Sequence, residues 1–284
     1  MNIGIRLHDT SGTTLREHLQ SAKAQGFSCV HLALSKTVPG FSMKDAPALM
    51  TDDFAREVSD ALQETGLQCA VLGCYLNPAV PDEGAWQDTL AIYRAHLAFA
   101  RKIGALCVGT ETGAPNMAYK TEPACWTEEA LELTTSRLGQ IVKAAEEEDA
   151  LFAIEPVCRH IVSTPERAKK VLDALPSDHL RIILDAVNLL TPQNLPQADQ
   201  VIRTSIRLFG DKILVLHMKD VISEEGATDL GHLSRACGLG TLNYTDLLSY
   251  ALAHPGIPMT LEDTKPDNAV AARLFLEEKA AELS

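Results

Sequence analysis

Apolar and polar positions alternate in blocks along the chain. Short runs rich in β-branched and aliphatic residues are each followed by a longer segment whose apolar positions recur at helical spacing. Strands are predicted over 2–7, 29–34, 69–76, 106–112, 151–157, 181–185, 213–219 and 258–262. Helices are predicted near 13–25, 51–65, 84–103, 127–148, 164–175, 196–209, 243–253 and 268–282. End signals agree with several of these. Thr164-Pro165-Glu166 places a capping hydroxyl before a proline suited to the first helical position. Thr127-Glu128-Glu129 loads acid into a first turn, where the helix dipole favours it. Gly26, Gly66 and Gly104 each follow a periodic stretch, where a left-handed residue ends a helix.

Eight strand–helix pairs in succession, with no break in composition, predict α/β architecture: a single (β/α)8 TIM barrel taking up residues 1–284. The competing architecture, an open doubly wound sheet, needs a topological switch point. The first strand runs into IRLHDTSGTT rather than GxGxxG, which argues against a dinucleotide cofactor. The longest stretches without periodicity, 35–48, 113–126 and 220–241, all follow strands. Barrels carry their active sites on that face.

Composition narrows the function classes. At 284 residues and 46% hydrophobic, the chain has enough apolar side chains for a sizeable core. No apolar run approaches the roughly 18 residues of a membrane span, so no membrane partner is expected. MNIGIRLHDT lacks a basic region followed by an apolar one and reads as a strand rather than a signal peptide. Asp+Glu 38 against Lys+Arg 25 gives a net charge of −13, which repels phosphate backbones and argues against nucleic acid as a partner. Seven cysteines, at 29, 69, 74, 107, 125, 158 and 237, include no CxxC, and several sit in apolar runs. Buried free thiols in a reducing cytoplasm are the expectation.

The candidate chemistry lies at strand C-terminal ends. Glu155 ends the fifth strand (LFAIEPV), Asp185 the sixth (RIILDAVN), His217 the seventh (ILVLHMKD) and Glu262 the eighth (PMTLEDT). Each follows aliphatic residues, where a lone charge is costly unless compensated. Singly, each reads as a helix cap, an ion-pair partner or a satisfied core histidine. Together, on four consecutive strands, three carboxylates repel one another unless a cation lies between them. One histidine with three carboxylates is a ligand set that suits Mn²⁺ first, with Mg²⁺, Co²⁺ or Zn²⁺ as alternatives.

Other residues are candidates for substrate binding. Lys219 lies two positions beyond His217, on the same side of a strand, and either holds a substrate oxygen or pairs with a rim acid. Glu111 ends the fourth strand, as a substrate contact or a structural partner. His8 follows the first strand and either faces the pocket or caps a turn. Arg159 and His160, in EPVCRHIV, are substrate-binding candidates or members of a solvated loop. Tyr75 and Asn77 are weaker candidates, and Trp86 and Trp126 are expected to pack or to cover rather than to stack on a ligand. Asp229 and His232 are discounted as metal ligands.

The motifs IEP at 154–156, LDxxN at 184–188, HMKD at 217–220, CGLGTLNY at 237–244 and LED at 261–263 resemble the xylose isomerase-like barrel superfamily, over the whole chain. That superfamily includes tagatose and psicose 3-epimerase-type enzymes, sugar-phosphate epimerases, inosose-metabolising enzymes and the endonuclease IV group. Resemblance to the epimerase branch implies that Glu155, Asp185, His217 and Glu262 bind one metal ion. It also implies that Glu155 and Glu262 act as an acid/base pair on opposite faces of a substrate that passes through a cis-enediolate. Two departures matter. The sixth-strand motif usually ends in histidine, and here Asn188 stands in its place, able to bond a hydroxyl but poor as a metal ligand. The third-strand stretch VLGCYLNP has no histidine, and Glu111 stands where the endonuclease group has another. A three-metal nuclease site is therefore not expected.

The expectation is a divalent-metal-dependent isomerase or epimerase acting on a small carbohydrate. A dehydratase or lyase, acting on a keto-inositol or 3-keto-glycoside at the same site, is the rival. A nuclease or a non-catalytic sugar-binding protein fits less well. A homodimer or homotetramer is implied by the resemblance alone.

Overall fold

The computed structural model describes residues 1–283. Eight parallel strands close into a barrel: β1 (Asn2–Arg6), β2 (Cys29–Leu32), β3 (Gln68–Gly73), β4 (Val108–Glu111), β5 (Phe152–Glu155), β6 (Leu180–Asp185), β7 (Ile213–Met218) and, last in the chain, β10 (Pro258–Leu261). The order around the barrel is β1, β10, β7, β6, β5, β4, β3, β2. A two-stranded antiparallel ribbon, β8 (Asp220–Val221) with β9 (Ser234–Arg235), stands beyond β7. The helices are α1 (Leu15–Ala24), α2 (Leu34–Thr37), α3 (Ala46–Leu49), α4 (Asp52–Thr65), α5 (Glu83–Ile103), α6 (Glu128–Glu147), α7 (Pro165–Ala174), α8 (Ala198–Phe209), α9 (Thr245–Ala253) and α10 (Ala269–Ala281). All eight long helices expected from periodicity are present, with ends within two residues of the expected ones.

Several strands stop earlier than their apolar runs suggest. β1 gives way at Leu7 to a 3-10 turn, β2 to α2, and β3 ends at Gly73. The three stretches expected to be irregular hold short elements: α2 and α3 in the first, a 3-10 turn at Pro123–Trp126 in the second, and the β8–β9 ribbon in the third. Helix ends follow the expected chemistry. The Thr164 and Thr127 hydroxyls accept from the amides of Arg167 and Ala130, and Gly66 and Gly104 close α4 and α5 at φ 67° and 68°.

Strand periodicity positions the site. Side chains alternate between the barrel interior and the helix layer. The large apolar cluster fills the space between strands and helices. A smaller one, of Cys29, Ala70, Val71, Cys107, Ala153, Ile183 and Val215, plugs the barrel. Two residues further along β2, β5, β6 and β7 come His31, Glu155, Asp185 and His217. The polar rim is thus the next layer above an apolar floor. No helix among the described residues is long and apolar enough to cross a membrane.

Candidate active site

Glu155, Asp185, His217 and Glu262 are all buried and converge. Each offers one ligand atom, and the four atoms lie within 4.8 Å of one another. His217 is the centre: its Nδ1 is 3.2 Å from Glu155 Oε2 and 3.2 Å from Glu262 Oε1. Register explains the convergence, since Asp185 pairs with His217 across β6 and β7, and Glu262 follows the last residue of β10. Asp263 takes a left-handed conformation at φ 52°, which ends the strand just beyond Glu262.

Lys219 and Asn188 complete the wall. The Lys219 ammonium lies 2.8 Å from Asp185 Oδ2 and 3.4 Å from Glu262 Oε2, and donates to Asn188 Oδ1 at 2.9 Å. The Asn188 amide in turn donates to Glu155 Oε1 at 2.6 Å. Its backbone N–H donates to Asp185 Oδ1. Asparagine at this position therefore links two of the rim carboxylates, Glu155 and Asp185, to the Lys219 ammonium. Tyr75 OH donates to Glu155 Oε2 at 3.4 Å.

The expectation that only an ion could settle the three carboxylates needs correction. Lys219 is buried among them, and the Arg6 guanidinium from β1 reaches within 4.0 Å of Glu262 while pairing with Asp9 and Asp263. Burial would lower the Lys219 ammonium, but Asp185, Glu262 and Glu155 outweigh it and raise it. Burial would raise Glu262, but His217, Lys219 and Arg6 hold it well below the usual carboxylate range. Burial would lower His217, and Glu155 and Glu262 lift it to about 9.

The residues nevertheless fit a divalent ion. His217 Nε2 has no hydrogen-bond partner, its Nδ1 faces two carboxylate oxygens without a well-aligned hydrogen bond to either, and Asp185 Oδ2 meets only the Lys219 ammonium. Three carboxylates and one imidazole, from four neighbouring strand ends, make a hard, mixed O/N donor set. An ion with two charges that displaces the His217 proton adds one net positive charge to the cluster.

The cluster opens to a cavity with two lobes. One, of about 340 Å³, is lined by Arg6, His8, His31, Tyr75, Glu155 and Glu262 among others. The second, of about 180 Å³, is lined by Arg159, Asn188, Lys219, Ser234 and Asp263 among others. Glu111 lines both. The rest of the candidate set therefore falls around this mouth: His8 in the first lobe, Arg159 in the second, and His160 behind Glu111, with Nδ1 at 3.6 Å from its carboxylate. Burial, then Glu155 and Glu262, raise Glu111 to about 7, and burial with Arg159 lowers His160 to about 4. Burial and Arg6 lower His8 to about 4. A larger groove of about 630 Å³ beside Trp126, α7 and α8 contains none of the four clustered residues.

Other candidates are structural. Asn77 accepts from the amides of Ala79 and Ala114 and donates to two carbonyls. Trp86 is buried under Arg137, while Trp126 lies half exposed at the outer groove. Asp229 and His232 are exposed, 3.9 Å apart, and outside the cluster. All seven cysteines are free. Sequence reasoning missed Arg6 and His31. Each sits two positions beyond an inward residue, Gly4 or Cys29, and that alternation is the signal that locates them.

Comparison with known proteins agrees with the barrel fold. Residues 19–279 match the family described as xylose isomerase-like TIM barrel, and the chain belongs to that family. No curated protein sequence matches it. Among solved structures, a D-tagatose 3-epimerase-like protein is similar with a TM-score of 0.75 at 17% identity, over 100% of this chain and 98% of that one. The probable 3-DHS dehydratase of petrobactin synthesis from Bacillus anthracis is similar with a TM-score of 0.71 at 13% identity, over 100% and 99%. The IolI protein, solved with a bound zinc atom, is similar with a TM-score of 0.74 at 16% identity, over 100% and 98%. At these identities the structural likeness establishes the fold.

Proposed function

We propose that this protein is a divalent-metal-dependent isomerase or epimerase acting on a sugar or sugar derivative. One observation carries the reading: Glu155 and Glu262 flank His217 at equal distance and both line the same cavity. Glu155, Asp185, His217 and Glu262 would hold the ion, which supplies Lewis acidity to a carbonyl and its neighbouring hydroxyl and so eases removal of the adjacent C–H proton. We assign Mn²⁺ first on the donor set, with Mg²⁺, Co²⁺ or Zn²⁺ as alternatives, zinc having support from the similar IolI structure.

The chain's own groups do the rest. One of the two glutamates takes the proton from carbon and the other returns one to the opposite face, through a cis-enediolate. Such positioned acid–base groups contribute about 10²–10⁴-fold each. Asn188 fixes one oxygen of Glu155, leaving the other toward the cavity beside Tyr75. Lys219 sets a buried positive charge where negative charge develops on oxygen. The apolar plug below closes the site from beneath.

A second reading, elimination of water or an aglycone from a keto-inositol or 3-keto-glycoside, has its own support. Glu111 faces both lobes, and its carboxyl, raised to about 7, can protonate a leaving oxygen at neutral pH. We further propose a small carbohydrate as the partner of the site, a homodimer or homotetramer as the assembly, and the cytoplasm as the setting. The last is supported by the seven free thiols.

The test is a turnover screen with ketoses, keto-inositols and keto-glycosides in D₂O with added Mn²⁺. Solvent deuterium entering without loss of a group marks epimerisation or isomerisation; release of water or an aglycone marks elimination. Glu262→Gln should lower kcat by about 10²-fold or more with its circular dichroism unchanged. Full activity in that variant refutes the mechanism.

A further inference from the structure

His31 lies outside the four-residue cluster, yet nothing in the fold's packing accounts for its polarity. The ring is wholly buried on β2, and neither Nδ1 nor Nε2 has a hydrogen-bond partner. A buried donor and acceptor left unpaired cost more than an ordinary hydrogen bond returns. An apolar side chain of similar size would avoid that cost.

The surroundings hold the ring in one place. It stacks on His217, with centroids 5.1 Å apart and planes 18° apart, and leans on Tyr75, with centroids 5.4 Å apart. A Cβ added at Gly73 would lie 3.0 Å from His31 Nε2 and 2.9 Å from Tyr75 Cε2, so the absence of a side chain there makes the space for both rings. The β2–β3 register shifts between Val30 and His31, at the residue in question.

The direction of the ring is informative. His31 lines the larger lobe together with Glu155, Glu262 and Tyr75. Its Nδ1 is 3.8 Å from Glu262 Oε1, too long for a direct hydrogen bond. One oxygen atom seated beside that gap reaches both at about 2.8 Å. His31 groups with His217 and Glu262, but the wider group of Glu155, Asp185, His217 and Glu262 does not include it. The imidazole therefore stands beside the place where an ion would be held, in the wall of the larger lobe.

We propose that His31 is a substrate-binding residue that hydrogen-bonds a hydroxyl or carbonyl oxygen lodged between its ring and Glu262. The inference rests on the functional reading above for the ligand class, a polyhydroxy carbonyl compound. It makes the β2–β3 wall, rather than β6–β7 alone, part of the surface that reads substrate oxygens.

The test uses the full chain labelled with ¹⁵N-histidine and loaded with diamagnetic Mg²⁺. The probe is the ketose, keto-inositol or keto-glycoside that takes up most deuterium in the screen, or D-fructose if none does. His31 ring signals, assigned by their absence in His31→Gln, should move when the probe is added to the Mg²⁺-loaded chain, beyond any change that Mg²⁺ alone produces through the stacked His217. His31→Leu should leave Mn²⁺ affinity little changed while lowering probe affinity or kcat/KM by about 10–100-fold, and His31→Gln should recover part of that loss. Ring signals that no probe moves overturn the proposal, as does a His31→Leu enzyme with unaltered kcat/KM. A fall in Mn²⁺ affinity matching the loss of activity overturns it too, because it makes His31 a metal ligand. Absence of turnover and of metal binding in the wild-type protein sinks the functional reading. His31 signals that still move with D-fructose would then support the assignment on their own.

Discussion

At the scale of single residues, His217 carries a pH dependence with a definite sign. Against burial, Glu155 and Glu262 lift its imidazole to about 9, above the roughly 6.5 of an unfolded chain. The charged ring therefore stabilises the ion-free fold fully below about 6.5, and that contribution is lost as the pH rises through 9. Metal binding runs the other way, because an imidazolium cannot ligate and the proton must leave first. Apparent Mn²⁺ affinity should rise about tenfold per pH unit between about 7 and 9 and level off above, as followed by electron paramagnetic resonance titration. A flat profile means that no proton is displaced from His217. The four clustered residues were legible because each ends an aliphatic run, which makes a charge there conspicuous. His31 and Arg6 obey the same alternation but were not, because apolar residues continue past them, in HLAL and RLH, and hide the strand end.

At the scale of elements, the motif HMKD divides its labour. His217 and Lys219 face the site, while Asp220 turns to the glycine-rich segment. Its two oxygens accept from the amides of Val221, Gly238, Gly240 and Leu242. Gly238 sits at φ 83°, and a Cβ on Gly240 would lie 2.4 Å from Asp220 Oδ1. CGLGTLNY is thus a carboxylate-centred turn that anchors the base of the β8–β9 ribbon, and through Ser234 bonded to Asp263 it holds the residue after Glu262. Asp220→Asn replaces one acceptor by a donor facing two N–H groups. It should cost about 2–4 kcal/mol in urea unfolding, more than loss of a single neutral hydrogen bond. A change under about 0.5 kcal/mol would show that the turn stands without the charge. Long helices could be read from the sequence because their periodicity runs over three turns or more. The short α2, α3 and the two-residue strands could not, since contacts with the rest of the barrel decide elements of that length.

For the whole molecule, the count of strand–helix pairs was enough to give the barrel, because eight parallel strands with helices outside have few other ways to close. What the count could not give is how the rim balances its charge, since Lys219 and Arg6 reach it from strands on either side of Glu262. That balance bears on stability. A protein whose rim needed an ion to offset three bare carboxylates would be badly destabilised without it. Here two cations and a protonated His217 already do so, and the ion-free barrel should fold and unfold cooperatively. Binding then adds only mass-action stabilisation, about 2.7 kcal/mol at a hundredfold excess of Mn²⁺ over its Kd. For a chain of this size that raises the thermal midpoint by about 5–10 °C, reversibly with a chelator. The ligands sit at the ends of β5, β6, β7 and β10, half of the closed sheet, so the rise should appear as one transition rather than two. Asp185→Asn should abolish the rise while leaving the ion-free midpoint less affected, because Lys219 keeps Glu262 and Asn188 as partners. A rise that survives Asp185→Asn undiminished places the ion somewhere other than this rim.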